Sequence, residues 1–246
     1  MDFCGKKVLV TGGARRVGRE IVSRFAAGGA QVVIHCHHHA DEAAALAAAL
    51  PGSGHRFFAC DFADSGSAAE LFDFCGRIDI LVNNASLYFH DPREAALAEK
   101  TIMQVNYRTP AELMELFAAQ DISEGCVINI LDQEIFSAEI TRGAYSVSRR
   151  KLADLTRKFA LQYGSKNLRF NAVAPGPMIP PCGMENSNMV KTLPTLPLRR
   201  KVAVSDLCDA VALLAAADSV TGAILPVDCG QSLPGMSEKF FFSETE

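Results

Sequence analysis

Seven short apolar runs, spaced so that a helical pattern fits between most of them, constrain this chain more than any single motif. They are Val8-Leu9-Val10, Val32-Val33-Ile34, Phe57-Phe58-Ala59, Ile80-Leu81-Val82, Val127-Ile128-Asn129-Ile130, Phe170-Asn171-Ala172-Val173 and Ile224-Leu225-Pro226-Val227. Each has the length of a strand. Between them apolar residues recur three or four apart, as in Val17, Ile21, Val22, Phe25 or Leu152, Leu155, Phe159, which is the period of one helix face. A strand that is apolar at nearly every position must be covered on both sides, and a parallel sheet sandwiched by helices does this. The expected class is α/β, a single doubly wound parallel sheet with helices on both faces.

With 246 residues, 49% of them hydrophobic, the chain can bury a sizeable core. No Ser/Gly/Pro linker, charge block or repeat divides it, so one domain over 1–246 is expected. The irregular stretch 175–197, rich in Pro, Gly, Asn and Met, is expected to be a substrate loop. The tail 234–246 carries Phe240-Phe241-Phe242, suited to docking on its own core or on another subunit; the sequence leaves both open. A net charge of -4 argues against a nucleic-acid or anionic-membrane surface. Lys, Asp or Gly interrupts the apolar stretches well before the ~20 residues a membrane span requires, and Met1-Asp2-Phe3 leads into a strand without a signal-peptide layout. A soluble, cytoplasmic protein is expected. The eight cysteines lie far apart with no CxxC pair, so reduced thiols are expected and neither a metal knuckle nor a redox couple.

Thr11-Gly12-Gly13-Ala14-Arg15-Arg16-Val17-Gly18 follows the first run and opens a helix. Glycines there let the backbone turn tightly and approach a pyrophosphate, whose charge the helix N-terminus favours. The sheet is therefore expected to be of the Rossmann type. An acidic residue at the end of the second strand would bind the ribose hydroxyls of NAD and repel a 2′-phosphate. None is present in Ile34-His35-Cys36-His37-His38-His39, and Arg15 and Arg16 come from the neighbouring turn. His37 and His38 with these arginines suit a phosphate, so NADP(H) is the expected cofactor. A solvated polar strand end without a ligand is the plainer alternative. Histidines on a strand alternate between faces, so no metal site is expected here.

Further along come Asp61 after the third run, Asn83-Asn84-Ala85-Ser86 after the fourth, Asn106 in a long helical pattern, Asp132 after the fifth, Tyr145 on the next helix and Pro175-Gly176 after the sixth. In this order the residues resemble the short-chain dehydrogenase/reductase family over 6–233, and most of all its pteridine reductase and dihydromonapterin reductase branch. Three details carry the narrower likeness. Arg16 stands where the family usually has a middle glycine, an aromatic pair (Tyr88, Phe89) follows Asn-Asn-Ala-Ser, and Asp132 replaces the serine expected after the fifth strand.

The resemblance implies a catalytic set of Tyr145, Arg149, Asp132 and Asn106. Gly12, Arg15, Arg16, Val17, Gly18, His37, His38, Asp61, Asn83, Ala85, Ser86, Pro175 and Gly176 would hold the cofactor. Asp61 would meet the adenine amino group, Asn83 would line the adenosine side, and Pro175-Gly176 would support the nicotinamide carboxamide. Asn106 would hold the water of a proton relay through its backbone. A homotetramer built on the helices of Asn106 and Tyr145 is also implied.

The chemistry can be argued from the residues themselves. Hydride transfer to a polar double bond needs a proton donor within hydrogen-bond reach, and the Tyr145 phenol can supply that proton. Four residues on, on the same helical face, a cation would stabilise the phenolate; the family places lysine there, and this chain has Arg149. A carboxylate at 132 would repel the oxyanion formed from a ketone, but it would hold an iminium-like nitrogen or, if protonated, deliver a proton. A C=N bond of a pterin fits, with Arg16 and Ser86 on its polar edge and Tyr88 stacked on the ring. Two other readings remain: a reductase of 3-oxoacyl thioesters or other ketones, and a catalytically weak nucleotide-binding sensor or partner subunit.

Overall fold

In the computed structural model, which describes residues 1–178 and 192–233, every apolar run lies in a strand. The strands are β1 (Lys7–Val10), β2 (Gln31–Cys36), β3 (Arg56–Ala59), β4 (Ile80–Asn83), β5 (Gly125–Ile130), β6 (Leu168–Pro175) and β7 (Ile224–Val227). They form one sheet in the order β3-β2-β1-β4-β5-β6-β7, with every pairing parallel. Because β1 pairs with both β2 and β4, successive connections run in opposite directions from it. A crevice opens at the carboxyl ends of the strands at such a switch point.

Helices α1 (Arg16–Ala27), α2 (Ala40–Ala49), α3 (Ser67–Cys75), α4 (Pro92–Leu97), α5 (Glu99–Met103), α6 (Thr109–Ala119), α7 (Gly143–Tyr163) and α8 (Val204–Ala216) cover the sheet. Alternation along β1 divides the core. Val8 and Val10 join Val22 and Phe25 of α1 and Val211 of α8, whereas Leu9 joins Leu71, Phe117 and Leu152 of α3, α6 and α7. Phe25 is fully buried, and cutting it to alanine would cost about 3–5 kcal/mol.

Two expectations need correction. β3 is not covered on both faces: as the edge strand it leaves Arg56, Phe57 and Ala59 exposed. The opposite edge, β7, accommodates Pro226, which has no N–H for a further neighbour. Asn106 does not lie in one uninterrupted α-helix, because a π-helical turn, Gln104–Arg108, separates α5 from α6. Pro110, four residues after Asn106, has no N–H to offer the Asn106 carbonyl, so the α-helical ladder must be broken at this point. The tail 234–246 and most of the loop expected over 175–197 lie outside the described residues. Among the described residues no helix is long and apolar enough to cross a membrane.

Candidate active site

A cleft of about 1020 Å³ runs along the carboxyl ends of the strands from the β1–α1 turn to Tyr145. At its first end Gly12 has φ +62°, and a Cβ on Gly18 would lie 2.1 Å from the Gly12 carbonyl oxygen, so the turn closes on itself only with glycine there. No side-chain hydrogen bond caps α1 at Arg15. This glycine-lined cradle at a helix N-terminus fits a dinucleotide pyrophosphate. Arg16 has φ +51°, the left-handed region that a glycine would occupy without strain; the arginine keeps its side chain on the cleft at a cost of about 1 kcal/mol. Asn84 clamps the turn from β4, its Nδ2 donating to the carbonyls of Thr11 (2.9 Å) and Gly12 (3.1 Å).

Beneath the turn lies His35, 3% exposed and stacked on Phe62 at 3.9 Å. Its Nδ1 accepts from the Gly12 N–H (3.1 Å), which leaves Nε2 to donate to the Cys60 carbonyl (3.2 Å). Burial lowers its pKa to about 4, so the ring is neutral and acts as a fixed strut. Above it, His37 pairs with Asp61 (3.1 Å), while Arg15 meets both Glu42 (3.2 Å) and His39 (3.0 Å). Arg15, Arg16, His37, His39 and Asp61 all line the cleft.

At the other end Tyr145, on the first turn of α7, donates to Asp132 Oδ2 at 3.1 Å. Asp132 Oδ1 accepts from Arg142 Nη2 (2.6 Å) and from the Glu134 N–H (2.9 Å). Three donors therefore converge on one carboxyl, the pattern of an ionised acceptor. Arg142 also binds Glu134, which takes further bonds from the Thr141 N–H and the Ser146 hydroxyl. Burial pushes the Glu134 carboxyl up, but the bonds from Thr141 and Ser146 and the Arg142 charge outweigh it and hold the pKa at about 2. Arg149 is buried; its Nη1 donates to the Ile130 carbonyl (3.2 Å), and its guanidinium lies 5.1 Å from the Tyr145 ring centre. Burial raises the Tyr145 pKa, the nearby Arg149 and Arg142 lower it, and Asp132 raises it again; the net direction is upward. Tyr88 packs edge-on against Tyr145, ring centres 4.9 Å apart.

The structure thus brings Gly12, Arg15, Arg16, Val17, Gly18, His37, Asp61, Ala85, Ser86, Tyr88, Asp132, Tyr145, Pro175 and Gly176 onto one cleft, with Arg149 behind Tyr145. Three expected residues are placed otherwise. His38 packs on His37 and does not line the cleft. Asn83 points away from the cleft into the core, donating to Asn129 at 2.8 Å, because strand alternation turns it from the face that Asn84 meets. Asn106 is buried, and its side chain clamps Leu87, accepting from the Leu87 N–H (2.7 Å) and donating to the Leu87 carbonyl (2.8 Å). Glu134, Arg142, His35, His39 and Asn84 were not singled out as site residues by the sequence reading. Asn84 was signalled by its place in Asn83-Asn84; the Glu134–Arg142 pairing had no local signature.

A family model described as enoyl-(acyl carrier protein) reductase matches residues 12–232. The chain belongs to the short-chain dehydrogenase/reductase family. Glucose 1-dehydrogenase of Gluconobacter oxydans (strain 621H) is 31% identical over 252 residues, spanning 95% of this chain and 94% of its own. Among solved structures, FolM alternative dihydrofolate reductase 1 from Brucella canis, complexed with NADP, is 31% identical, covers 98% of both chains and superposes with a TM-score of 0.84. A blue fluorescent protein from a metagenomic library, in complex with NADPH, is 30% identical, covers 94% of this chain and 99% of its own, and gives a TM-score of 0.85. Within this short-chain dehydrogenase/reductase, the three departures from the family pattern, at Arg16, Asp132 and Arg149, all face the cleft or the Tyr145 phenol.

Proposed function

We propose that the protein is an NADPH-dependent reductase that transfers hydride to a C=N bond of a pterin or dihydropterin. The observation that carries this reading is the Tyr145–Asp132 contact at 3.1 Å, in which the family's serine position holds a carboxylate surrounded by donors. An anion there disfavours a developing alkoxide and favours a substrate nitrogen that is protonated and iminium-like when the hydride arrives. The FolM structure with bound NADP, similar over nearly the whole chain, supports the same reading.

The dinucleotide, when bound, supplies the hydride. Gly12, Val17, Gly18 and the α1 amides would take its pyrophosphate, Asp61 the adenine, Arg15 with His37 and His39 the 2′-phosphate, and Ala85, Pro175 and Gly176 the nicotinamide side. Tyr145 delivers the proton, and Arg149, one turn along α7, favours the phenolate left behind. Asp132 orients the phenol and holds the substrate nitrogen, while Arg16 and Ser86 meet the polar edge of the ring and Tyr88 its face. Asn106, by clamping Leu87, fixes the segment that carries Ser86 and Tyr88. On the family likeness, this reading also takes the chain as one domain that works as a cytoplasmic homotetramer. Reduction of a ketone is the second reading, favoured by the glucose 1-dehydrogenase relative.

NADPH oxidation followed with dihydrobiopterin, dihydromonapterin, dihydrofolate and an acetoacetyl thioester tests the proposal. Turnover of a pterin with at least tenfold higher kcat/KM than the thioester is expected. Preference for the thioester would establish the ketone reading, and tight NADPH binding without turnover of any would favour a sensor.

A further inference from the structure

Three charged side chains, Asp132, Arg142 and Arg149, surround the Tyr145 phenol, and Arg142 is the one that neither the family pattern nor the spacing around Tyr145 indicates. It occupies the residue before α7, where its own N–H donates to Ser146 Oγ at 3.0 Å. Ser146 in turn donates to Glu134 at 2.7 Å, and Glu134 accepts from Arg142 Nε at 2.5 Å. The arginine is therefore tied at backbone and side chain to one buried carboxylate. So held, it extends its other arm to Asp132 (2.6 Å) and lays its guanidinium 4.8 Å from the Tyr145 ring centre, nearer than that of Arg149.

The charge count gives this geometry its meaning. Asp132 and Glu134 beyond β5 are negative; Arg142 and Arg149 at α7 are positive; Tyr88, with His90 behind it, faces the phenol from the segment after β4. Without Arg142 both carboxyls lose their cation, and the guanidinium left beside the phenol, that of Arg149, donates to the Ile130 carbonyl, its Nε buried without a partner. A net negative surrounding opposes formation of a phenolate.

We propose that Arg142 is a positioning residue that sets the proton affinity of Tyr145 and aims the Asp132 carboxylate, with Glu134 holding it in place. The cationic work that one lysine does in the family is here divided between two arginines. The inference rests on Tyr145 as the proton donor, and it does not depend on which double bond is reduced.

The test uses Arg142→Met, Arg142→Lys and Glu134→Gln in the full chain. Phenolate formation at Tyr145 is read by ultraviolet difference titration against Tyr145→Phe, NADPH affinity by fluorescence, and kcat from NADPH oxidation. Arg142→Met should raise the Tyr145 midpoint by about one pH unit or more, as loss of a neighbouring opposite charge does. It should lower kcat about 10- to 100-fold while changing the NADPH Kd less than threefold. Arg142→Lys should recover much of both effects, and Glu134→Gln, which frees the arginine but also removes a negative charge, should move the midpoint by less. An unmoved midpoint in Arg142→Met, or a lysine variant no better than methionine, overturns the proposal. Should Arg142→Met fail to fold, the midpoints of the other two variants decide: both unchanged from the parent contradicts it. The phenol titration needs no substrate, so a failed pterin assay would remove the proposed substrate and leave this test intact.

Discussion

At the histidine end of the cleft the ionic contacts stand half in solvent, Arg15 at 47% and Glu42 at 51% side-chain exposure; at the tyrosine end Arg142 is at 29% and its partner Glu134 at 6%. The first set can exchange partners. Water and salt screen it, and each exposed pair contributes only about 0.2–1 kcal/mol. The second set cannot lose Arg142 without leaving the buried Glu134 charge uncompensated. The difference suits two tasks: accepting and releasing a phosphate from outside, and holding one phenol in a fixed field through many turnovers. Beneath the glycine turn at the first end, the neutral His35 gives rigidity without adding charge.

The largest effect that would test this contrast is at the buried end. Tyr145→Phe should lower kcat by about 10²–10⁴-fold, with the NADPH Kd unchanged in a fluorescence titration; a modest loss would mean that another group supplies the proton. Gly18→Ala should act at the opposite end and on the opposite parameter. Its methyl would lie 2.1 Å from a backbone oxygen, so the NADPH Kd should rise at least tenfold; a normal Kd would show the turn is not the cofactor cradle.

The buried strut under the glycine turn makes a pH prediction. The folded pKa of His35 is lowered from 6.5 to about 4, so between those values the unfolded chain binds the proton and the folded chain does not. Its contribution is full above pH 6.5 and is lost as pH falls through 4. Between pH 7 and pH 5 the loss is about 2 kcal/mol, read from urea unfolding of the parent relative to His35→Gln. Equal slopes for the two proteins would show that His35 is not held neutral. The smallest effect is expected at the exposed end. Arg15→Ala should change folding stability by less than about 1 kcal/mol while raising the NADPH Kd about tenfold and leaving the NADH Kd alone. An equal loss for both would remove Arg15 from the 2′-phosphate.

The same contrast governs how far the sequence could be read. Strand positions were legible because apolar runs must be buried, and the Gly12 to Gly18 turn because its spacing carries its own geometry. The exposure of β3 was not, since spatial order decides which strand is last and sequence order does not state it. Pro110 four residues after Asn106 held a readable sign of the broken ladder at Gln104–Arg108. Parity along β2 could not have separated His35 from His37, which continues its face; the strand ends at Cys36, and that end, not the alternation, leaves His35 buried and His37 at the cleft. Tyr145, Asp132 and Arg149 were visible through family spacing. Glu134 and Arg142 were invisible because their meaning comes from pairing across a loop, where side-chain direction follows no period.

The central claim is that the carboxylate beside the phenol selects the kind of bond reduced. The most direct measurement is the ratio of kcat/KM for dihydrobiopterin to that for an acetoacetyl thioester, taken in the parent and in Asp132→Ser. The account predicts that the ratio falls at least tenfold in the variant, because a hydroxyl donor now faces the ketone oxygen. A ratio unchanged by the substitution would contradict it.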